Sequence, residues 1–272
     1  MTGAHDAERA RQRLPLGVLV PAVLGLVLLV VPLLALLPRV DWSTLPATLL
    51  SPTARDAVWL SVRTAAAAVV CCLALGVPLA LLIARASPRV AAVLRAVVTL
   101  PLVLPPLVGG VALLSVVGRT GLLGGVLDTL GVTVAFTPWA IVLAQTFVAM
   151  PFLVIALEGS LRAVGARYEA VAATLGARRL TVLRRVTLPL VAPGLLAGVV
   201  LAFTRAIGEF GATALVAGNR PGVTQTVPMA IYTAYNGTGV ARDTALALSL
   251  LLVAVALVIL LLVPAARRRE AL

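Results

Sequence analysis

The sequence has little charge, few aromatic residues and no lysine at all. Only 12% of its 272 residues are charged and 4% are aromatic, whereas 61% are hydrophobic. A water-soluble domain carries about 25% charged residues, so this chain has too little polar surface to cover a soluble core. The composition therefore excludes a water-soluble enzyme and predicts a membrane protein.

The residues on which catalysis and metal binding usually depend are also scarce. Cys71 and Cys72 are adjacent in an apolar run, and neighbours on a helix point in different directions, so we expect neither a mutual disulfide nor a metal pair. The single histidine, His5, lies in the N-terminal tail, and we assign it no role. The chain contains no Gly-x4-Gly-Lys-Ser/Thr phosphate loop. We therefore expect no bound ATP, no cofactor, no metal and no enzymatic activity of its own.

Long apolar runs take up most of the chain. A helix needs about 20 apolar residues to cross the hydrocarbon layer of a bilayer, and six stretches satisfy this length. They are residues 14–37, 57–84, 90–117, 134–157, 191–217 and 244–265. We predict an all-α membrane protein with six transmembrane helices, an N-terminal tail over 1–13 and a C-terminal tail over 266–272.

The basic residues are all arginines, and their distribution predicts the orientation of the spans. Fifteen of the 22 lie in the two tails and in the loops that follow the second and fourth spans, whereas five lie in the other loops. Cytoplasmic segments are enriched in arginine, so both termini are predicted to be cytoplasmic. Membrane topology also explains the net charge of +12 better than nucleic-acid binding does, because the arginines flank apolar runs.

The predicted spans contain an unusual number of prolines, among them Pro101, Pro105, Pro106, Pro151 and Pro193. Each proline removes a backbone donor and tends to kink its helix, which lipid tolerates only where other helices or water satisfy the freed carbonyls. The prolines therefore indicate a bundle with an interior, or kinks that only improve packing.

The longest predicted cytoplasmic loop, residues 158–190, has a helical pattern. Tyr168, Val171 and Leu175 recur at helical spacing, which predicts a short amphipathic helix that ends at Gly176. A second helical stretch follows this glycine and reaches the membrane surface. The apolar stripe of the first helix needs a partner, either the lipid headgroups or another protein, and periodicity favours neither.

This loop resembles the cytoplasmic loop of ABC importer permeases, whose pattern is Glu-Ala-Ala-x3-Gly-x9-Ile-x-Leu-Pro. Gly176 is followed after nine residues by Val-Thr-Leu-Pro at 186–189, which keeps the full spacing to the proline. The loop departs from the pattern at both ends. Val186 replaces the isoleucine, and Glu169 lies seven rather than six positions before the glycine, so that Ala170, Val171 and Ala172 occupy the Glu-Ala-Ala positions.

Three further segments resemble the permease subunits of molybdate and sulfate importers. They read Leu-Pro-Leu-Val-Leu-Pro-Pro over 100–106, Ala-Gln-Thr-Phe-Val-Ala-Met-Pro over 144–151 and Arg-Ala-Ile-Gly-Glu-Phe-Gly-Ala-Thr over 205–213. The segment 217–232 is similar to molybdate permeases in particular, and the resemblance covers about residues 50–265. Permeases for sulfate or tungstate share much of this pattern and remain the alternative.

The resemblance implies a type I ABC importer permease: a homodimer of six-helix subunits that moves molybdate across the cytoplasmic membrane by alternating access. Its partners would be two copies of an ATPase subunit, an extracytoplasmic molybdate-binding protein and the lipid bilayer, with no nucleic acid. The transmembrane domain would cover 57–265, and loop 158–190 would couple it to the ATPase. The alternatives outside transport are a purely structural membrane scaffold and an intramembrane enzyme, and the spans argue against the enzyme because they contain no histidine and no aspartate pair.

The residues expected to couple the membrane helices to the ATPase lie in this loop and at its end. They are Tyr168, Glu169, Val171, Leu175, Gly176, Leu188 and Pro189. We expect Gly176→Asp to leave the protein inserted in the membrane but to uncouple transport from ATP hydrolysis.

Two charges in the predicted fifth span are candidates for the anion path. Arg205 and Glu209 lie four residues apart and hence on one helix face, where they can offset the cost of about 2.5–3.5 kcal/mol that each charge alone incurs at mid-membrane. They form either a structural ion pair or part of the path or its gate. The uncharged donors that either line the same path or bond between helices are Ser115, Gln145, Thr204 and Thr213.

Overall fold

The computed structural model describes residues 16–165, 167–236 and 242–269, with side chains described as far as residue 259. The predicted tail over 1–13 and residues 270–272 of the predicted C-terminal tail lie outside the described residues. All regular structure in these ranges is helical. The helices are α1 (Leu16–Leu34), α2 (Leu45–Leu49), α3 (Pro52–Arg85), α4 (Pro88–Val103), α5 (Pro106–Val117), α6 (Gly124–Thr129), α7 (Pro138–Val164), α8 (Arg167–Thr174), α9 (Arg179–Val182), α10 (Leu188–Ile207), α11 (Gly211–Ala217), α12 (Val227–Asn236) and α13 (Arg242–Arg269).

Five helical segments of the described chain are long and apolar enough to cross a membrane. They are Leu16–Arg39, Pro52–Arg85, Pro138–Val164, Arg179–Ile207 and Arg242–Ile259. A sixth crossing is present if the bent pair α4 and α5 forms one span. The prediction of a multi-span all-α membrane protein is therefore confirmed, and two of the predicted spans need correction.

The predicted third span, residues 90–117, is not one continuous helix. Helix α4 ends at Val103, α5 begins at Pro106, and the two axes meet at 111°. The residue before a proline is driven from helical to extended backbone, and here Leu104 and Pro105 both precede one. Both are extended, with ψ angles of 136° and 134°, so the helix breaks at this point.

The predicted fifth span, residues 191–217, is also interrupted. Helix α10 ends at Ile207, and a new helix, α11, begins at Gly211. The Glu209 side chain accepts a hydrogen bond from the backbone N–H of Ala212 at 2.9 Å, in the first turn of α11. Such a bond satisfies a donor that has no partner within its own helix, and it stabilises a fresh helix start in place of a continuous span.

Helices α3, α7 and α10 form the centre of the bundle, with α7 in contact with both others. Small residues fill their contact faces. The buried cluster shared by the three helices is mostly small, and it consists of Ala65, Ala68, Val69, Cys72, Val142, Ala149, Leu153, Ala202, Ala206 and Ile207. Small side chains let membrane helices approach closely, and a Cβ added at Gly198 of α10 would lie only 3.2 Å from the backbone of Leu153.

The first span and the two cysteines complete the arrangement. All described residues from Leu16 to Leu34 are exposed, as expected for a helix that faces lipid or another chain. Cys71 and Cys72 are both free thiols in this structure.

Candidate coupling loop and anion path

The short helix predicted in the cytoplasmic loop is present as α8, and it ends in the predicted glycine turn. Gly176 has a φ of +78°, in the left-handed region that residues with a Cβ rarely adopt. The N–H of Gly176 donates to the carbonyl of Ala173, and the N–H of Ala177 donates to that of Ala172. This pair of bonds is a Schellman motif, which reverses the chain directly after the helix.

The apolar side chains of α8 and its end face outward. Tyr168, Val171 and Leu175 are 53%, 56% and 83% exposed, respectively. A contiguous exposed apolar stripe on a short helix is typical of a surface that binds a partner. The geometry of these three residues therefore fits the coupling role that the sequence predicts for them.

Glu169 lies on the opposite side of α8 and makes contacts within the chain. Its Oε1 atom accepts a hydrogen bond from the Thr187 hydroxyl at 2.6 Å and one from the Arg85 guanidinium at 2.9 Å. These bonds join α8 to the last turn of α3 and to the residue that precedes α10. The sequence could not reveal the contact with Arg85, because the two residues are 84 positions apart and follow no helical spacing.

The same contacts affect the protonation of Glu169. The hydrogen bond from Thr187 lowers the pKa of the Glu169 carboxyl, burial opposes this effect, and Arg85 lowers the pKa further. The lowered pKa means that the folded state favours the ionised carboxylate. The stabilisation is therefore complete above the ordinary glutamate pKa and is lost as the pH falls through the lowered value.

Leu188 and Pro189 lie inside a continuous helical segment that leads into the membrane. A π-helical turn, Leu183–Thr187, connects α9 to α10, and Leu188 and Pro189 are the first two residues of α10. The ring of a proline clashes with the carbonyl four residues earlier in a regular α-helix. The wider π turn provides space for this ring, so the helix passes through Pro189 without ending.

The predicted contact between Arg205 and Glu209 is present. The Arg205 guanidinium lies 2.6 Å from Glu209 Oε2, and the other oxygen of this carboxylate binds the N–H of Ala212. Glu209 is buried, whereas Arg205 is partly exposed. The pair therefore neutralises a buried charge and leaves part of the Arg205 side chain accessible.

Arg205 also lines a cavity of about 270 Å³ at the break between α4 and α5. Arg205 is the charged member of the described lining, and the other side chains are apolar. The lining consists of Pro101, Leu102, Leu104, Pro105, Pro106, Gly109, Phe147, Val148, Phe152 and Arg205. A single cation in an apolar cavity can attract an oxyanion through its planar donors.

The four uncharged candidates fall into two groups. Gln145 on α7 and Thr213 on α11 are fully buried, and their side-chain polar atoms have no hydrogen-bond partner among the described residues. Ser115 and Thr204 instead donate to carbonyls of their own helices, at Val111 and Val200. Gln145 and Thr213 are therefore buried polar groups without partners among the described residues, and they belong to two helices, α7 and α11, whose apolar residues pack together.

A second buried charge was missed by the reasoning from sequence. Glu158, at the end of α7, binds Arg95 of α4 at 2.7 Å and Arg162 at 2.8 Å. The spacing of four residues between Glu158 and Arg162 is a local signal that could have indicated the second pair. The pair with Arg95 spans 63 positions and has no such signal. These three charged residues therefore connect α4 to α7.

The chain is similar to known membrane transport components over most of its length. Residues 76–269 match the family model described as binding-protein-dependent transport system inner membrane component. The molybdenum transport system permease protein ModB of Mycobacterium tuberculosis is 53% identical over 240 residues, which cover 88% of this chain and 90% of the relative. ModB of Escherichia coli K12 is 40% identical over 203 residues, which cover 73% of this chain and 89% of the relative.

Solved structures support the fold. A bacterial ABC transporter involved in the import of the acidic polysaccharide alginate contains a chain that superposes with a TM-score of 0.72. The match covers 93% of this chain and 94% of the other, at 18% sequence identity. The MetNI methionine ABC transporter in an inward-facing conformation gives a TM-score of 0.61 over 78% of this chain and 94% of the other, at 18% identity. At these identities the likeness shows a shared fold.

Proposed function

The chain belongs to the family of binding-protein-dependent transport system inner membrane components, and on this premise we propose that it is the permease subunit of a molybdate importer. It provides the membrane path, and a separate ATPase subunit supplies the energy. The observation that carries this proposal is the exposed apolar stripe of α8, held between two membrane spans in a loop of the importer pattern. The relatives named for molybdenum transport favour molybdate over sulfate or tungstate.

The proposed assembly contains two copies of this chain, two copies of the ATPase subunit and an extracytoplasmic molybdate-binding protein. The complex resides in the cytoplasmic membrane, with both termini of the chain in the cytoplasm. The arginine distribution supports this orientation. The exposed first span, Leu16–Leu34, supports contact with a second copy or with lipid. We propose that the chain itself holds no cofactor.

The energy enters the membrane helices through α8 in this proposal. Tyr168, Val171 and Leu175 contact the ATPase, and Gly176 sets the turn that presents them. Leu188 and Pro189 pass the movement into α10, because they lie in the continuous helical segment that leads from the loop into the span. The stripe supports a protein partner over lipid headgroups because it occurs in a loop of the importer pattern.

Arg205 and Glu209 are proposed to form part of the anion path or its gate. The cavity beside Arg205 supports this role, since Arg205 lines it and its side chain is only partly buried. Glu209 partly neutralises the arginine and keeps the attraction weak, and a transport path requires such weak sites for release. Gln145 and Thr213 are proposed to contact the path when the contact between α7 and α11 opens, with Ser115 and Thr204 as further donors along it.

Uptake by the reconstituted complex tests the function directly. Proteoliposomes are prepared with this chain, its ATPase subunit and its binding protein. They are expected to accumulate labelled molybdate only when ATP is present on the side of the membrane that the ATPase faces. Excess sulfate is expected to leave most of this uptake intact, and excess unlabelled molybdate to abolish it. Strong competition by sulfate would assign the complex to sulfate. Absence of molybdate uptake both with and without ATP would contradict the importer assignment.

Replacing Gln145 by leucine separates a path role from a packing role. A buried amide without partners contributes a desolvation cost of about 1–3 kcal/mol, so leucine of similar size is expected to leave the thermal stability unchanged or raise it. Molybdate uptake is nevertheless expected to fall about tenfold or more, because a hydrogen bond to a charged group contributes about 1.5–3 kcal/mol. Thermal unfolding and uptake are measured on the same preparation. Unchanged uptake with raised stability would remove Gln145 from the path.

A further inference from the structure

Glu169 joins three parts of the chain that are distant in sequence. One oxygen of its carboxylate binds Arg85 at the end of α3 and Thr187 at the end of the π turn. From this geometry we propose that Glu169 is a positioning residue that makes α8 move as one body with α3 and α10, and that it does not contact the ATPase. This inference rests on the proposed function, because it concerns how the stroke of the ATPase reaches the membrane helices.

The two partners of Glu169 lie at the points where movement would enter the spans. Arg85 ends the 34-residue helix α3, which is about 51 Å long at 1.5 Å per residue and reaches back into the centre of the bundle. Thr187 immediately precedes Leu188, the first residue of α10. A displacement of α8 is therefore passed to two separate spans through a single carboxylate.

The Thr187 bond is the stronger of the two attachments. The Arg85 side chain is 55% exposed, and an exposed ion pair contributes little because water and salt screen it. Thr187 is only 2% exposed, and its hydroxyl donates to the carboxylate over 2.6 Å. A hydrogen bond from a buried donor to a charged acceptor is among the strong ones, and its loss leaves the hydroxyl without a partner.

The orientation of α8 explains why Glu169 is separate from the docking surface. Its carboxylate is turned toward the bundle, beside a cavity of about 310 Å³ that is also lined by Arg85 and Arg179. The exposed stripe of Tyr168, Val171 and Leu175 contains the side chains available to a partner. Contact with the partner and attachment to the spans are thus assigned to different residues of one short helix.

Hydrogen exchange of the full purified chain tests the attachment without any transport measurement. Glu169→Ala and Thr187→Val are expected to raise the exchange rates of the α8 backbone amides about tenfold or more, because local opening of the loop becomes easier. Thr187→Ser keeps the hydroxyl and is expected to retain the wild-type rates. Arg89→Ala removes an exposed arginine from the same side of the chain and serves as the control for general charge effects.

Uptake per ATP hydrolysed by the full complex tests the mechanical role. Glu169→Ala is expected to lower this ratio about five- to tenfold while the ATPase subunit still co-purifies in the wild-type amount. Glu169→Gln keeps an acceptor for Thr187 and is expected to fall between the alanine variant and the wild type. Loss of ATPase binding in Glu169→Ala would show a direct contact and overturn the proposal, as would wild-type exchange rates in that variant. Failure of the wild-type complex to take up molybdate would contradict the proposed function, whereas the exchange rates would still decide whether Glu169 positions α8.

Discussion

Replacing Gly176 by valine is expected to reduce molybdate uptake by the reconstituted complex about fivefold or more while the chain remains inserted in the membrane. The backbone φ of +78° lies in the left-handed region, where a residue with a branched Cβ is strained by about 1–3 kcal/mol. Each 1.4 kcal/mol lowers the population of the correct turn about tenfold. The space around the glycine is open, so backbone strain alone, and not a steric clash, causes the effect.

Asparagine at the same position provides the matched control. Asparagine adopts the left-handed region far more readily than valine does, so Gly176→Asn is expected to retain most of the uptake. Aspartate shares this tolerance, so the difference between Gly176→Asp and Gly176→Asn measures the effect of negative charge on the proposed contact with the ATPase. Membrane insertion, ATPase co-purification and uptake are measured for each variant. Equal uptake in the valine and asparagine variants would show that the turn does not limit coupling.

Replacing Arg205 by alanine is expected to cause the largest loss of folded protein. The change leaves the buried Glu209 carboxylate without its cation, and breaking a buried pair by removal of one partner costs about 3–5 kcal/mol. The whole net stability of a folded protein is only about 5–15 kcal/mol. We therefore expect Arg205→Ala to yield little monodisperse complex after detergent extraction.

The paired variant Arg205→Gln with Glu209→Gln separates stability from the anion path. It removes both charges together, and the new amide oxygen at 209 can still accept a hydrogen bond from the N–H of Ala212. The yield of folded complex after detergent extraction is therefore expected to recover most of its wild-type value. Arg205→Lys preserves the charge but not the planar donors. If both variants fold and transport molybdate with unchanged preference over sulfate, Arg205 serves only as a structural partner of Glu209.

The local features of the coupling loop could be predicted from the sequence because their causes lie within a few residues. The spacing of Tyr168, Val171 and Leu175 specified the helix, and Gly176 specified its end. The bonds of Glu169 and Glu158 to Arg85 and Arg95 were not predictable in this way. They depend on which helices become neighbours in space, and a single sequence contains no direct record of those contacts.

The spans show the same division between local and non-local causes. Hydropathy located the apolar runs, but it carries no information on changes in the direction of the helix axis. Residues 90–117 and 191–217 were therefore each predicted as one span. The consecutive prolines at 105 and 106 were the local signal for the first break. The second break depends on the hydrogen bond from the N–H of Ala212 to Glu209. The predicted contact between Arg205 and Glu209 is present although Glu209 lies beyond the end of α10.

The break between α4 and α5 has a consequence for the freedom of movement at this point in the membrane. Pro105 and Pro106 have rings that fix their φ angles, and neither donates a backbone hydrogen bond. Reorientation of α5 can therefore proceed through the ψ angles of Leu104 and Pro105, with no helical turn unwound on either side. Leu104 and Pro105 thus form a hinge with very few rotatable backbone angles. Both residues also line the cavity beside Arg205.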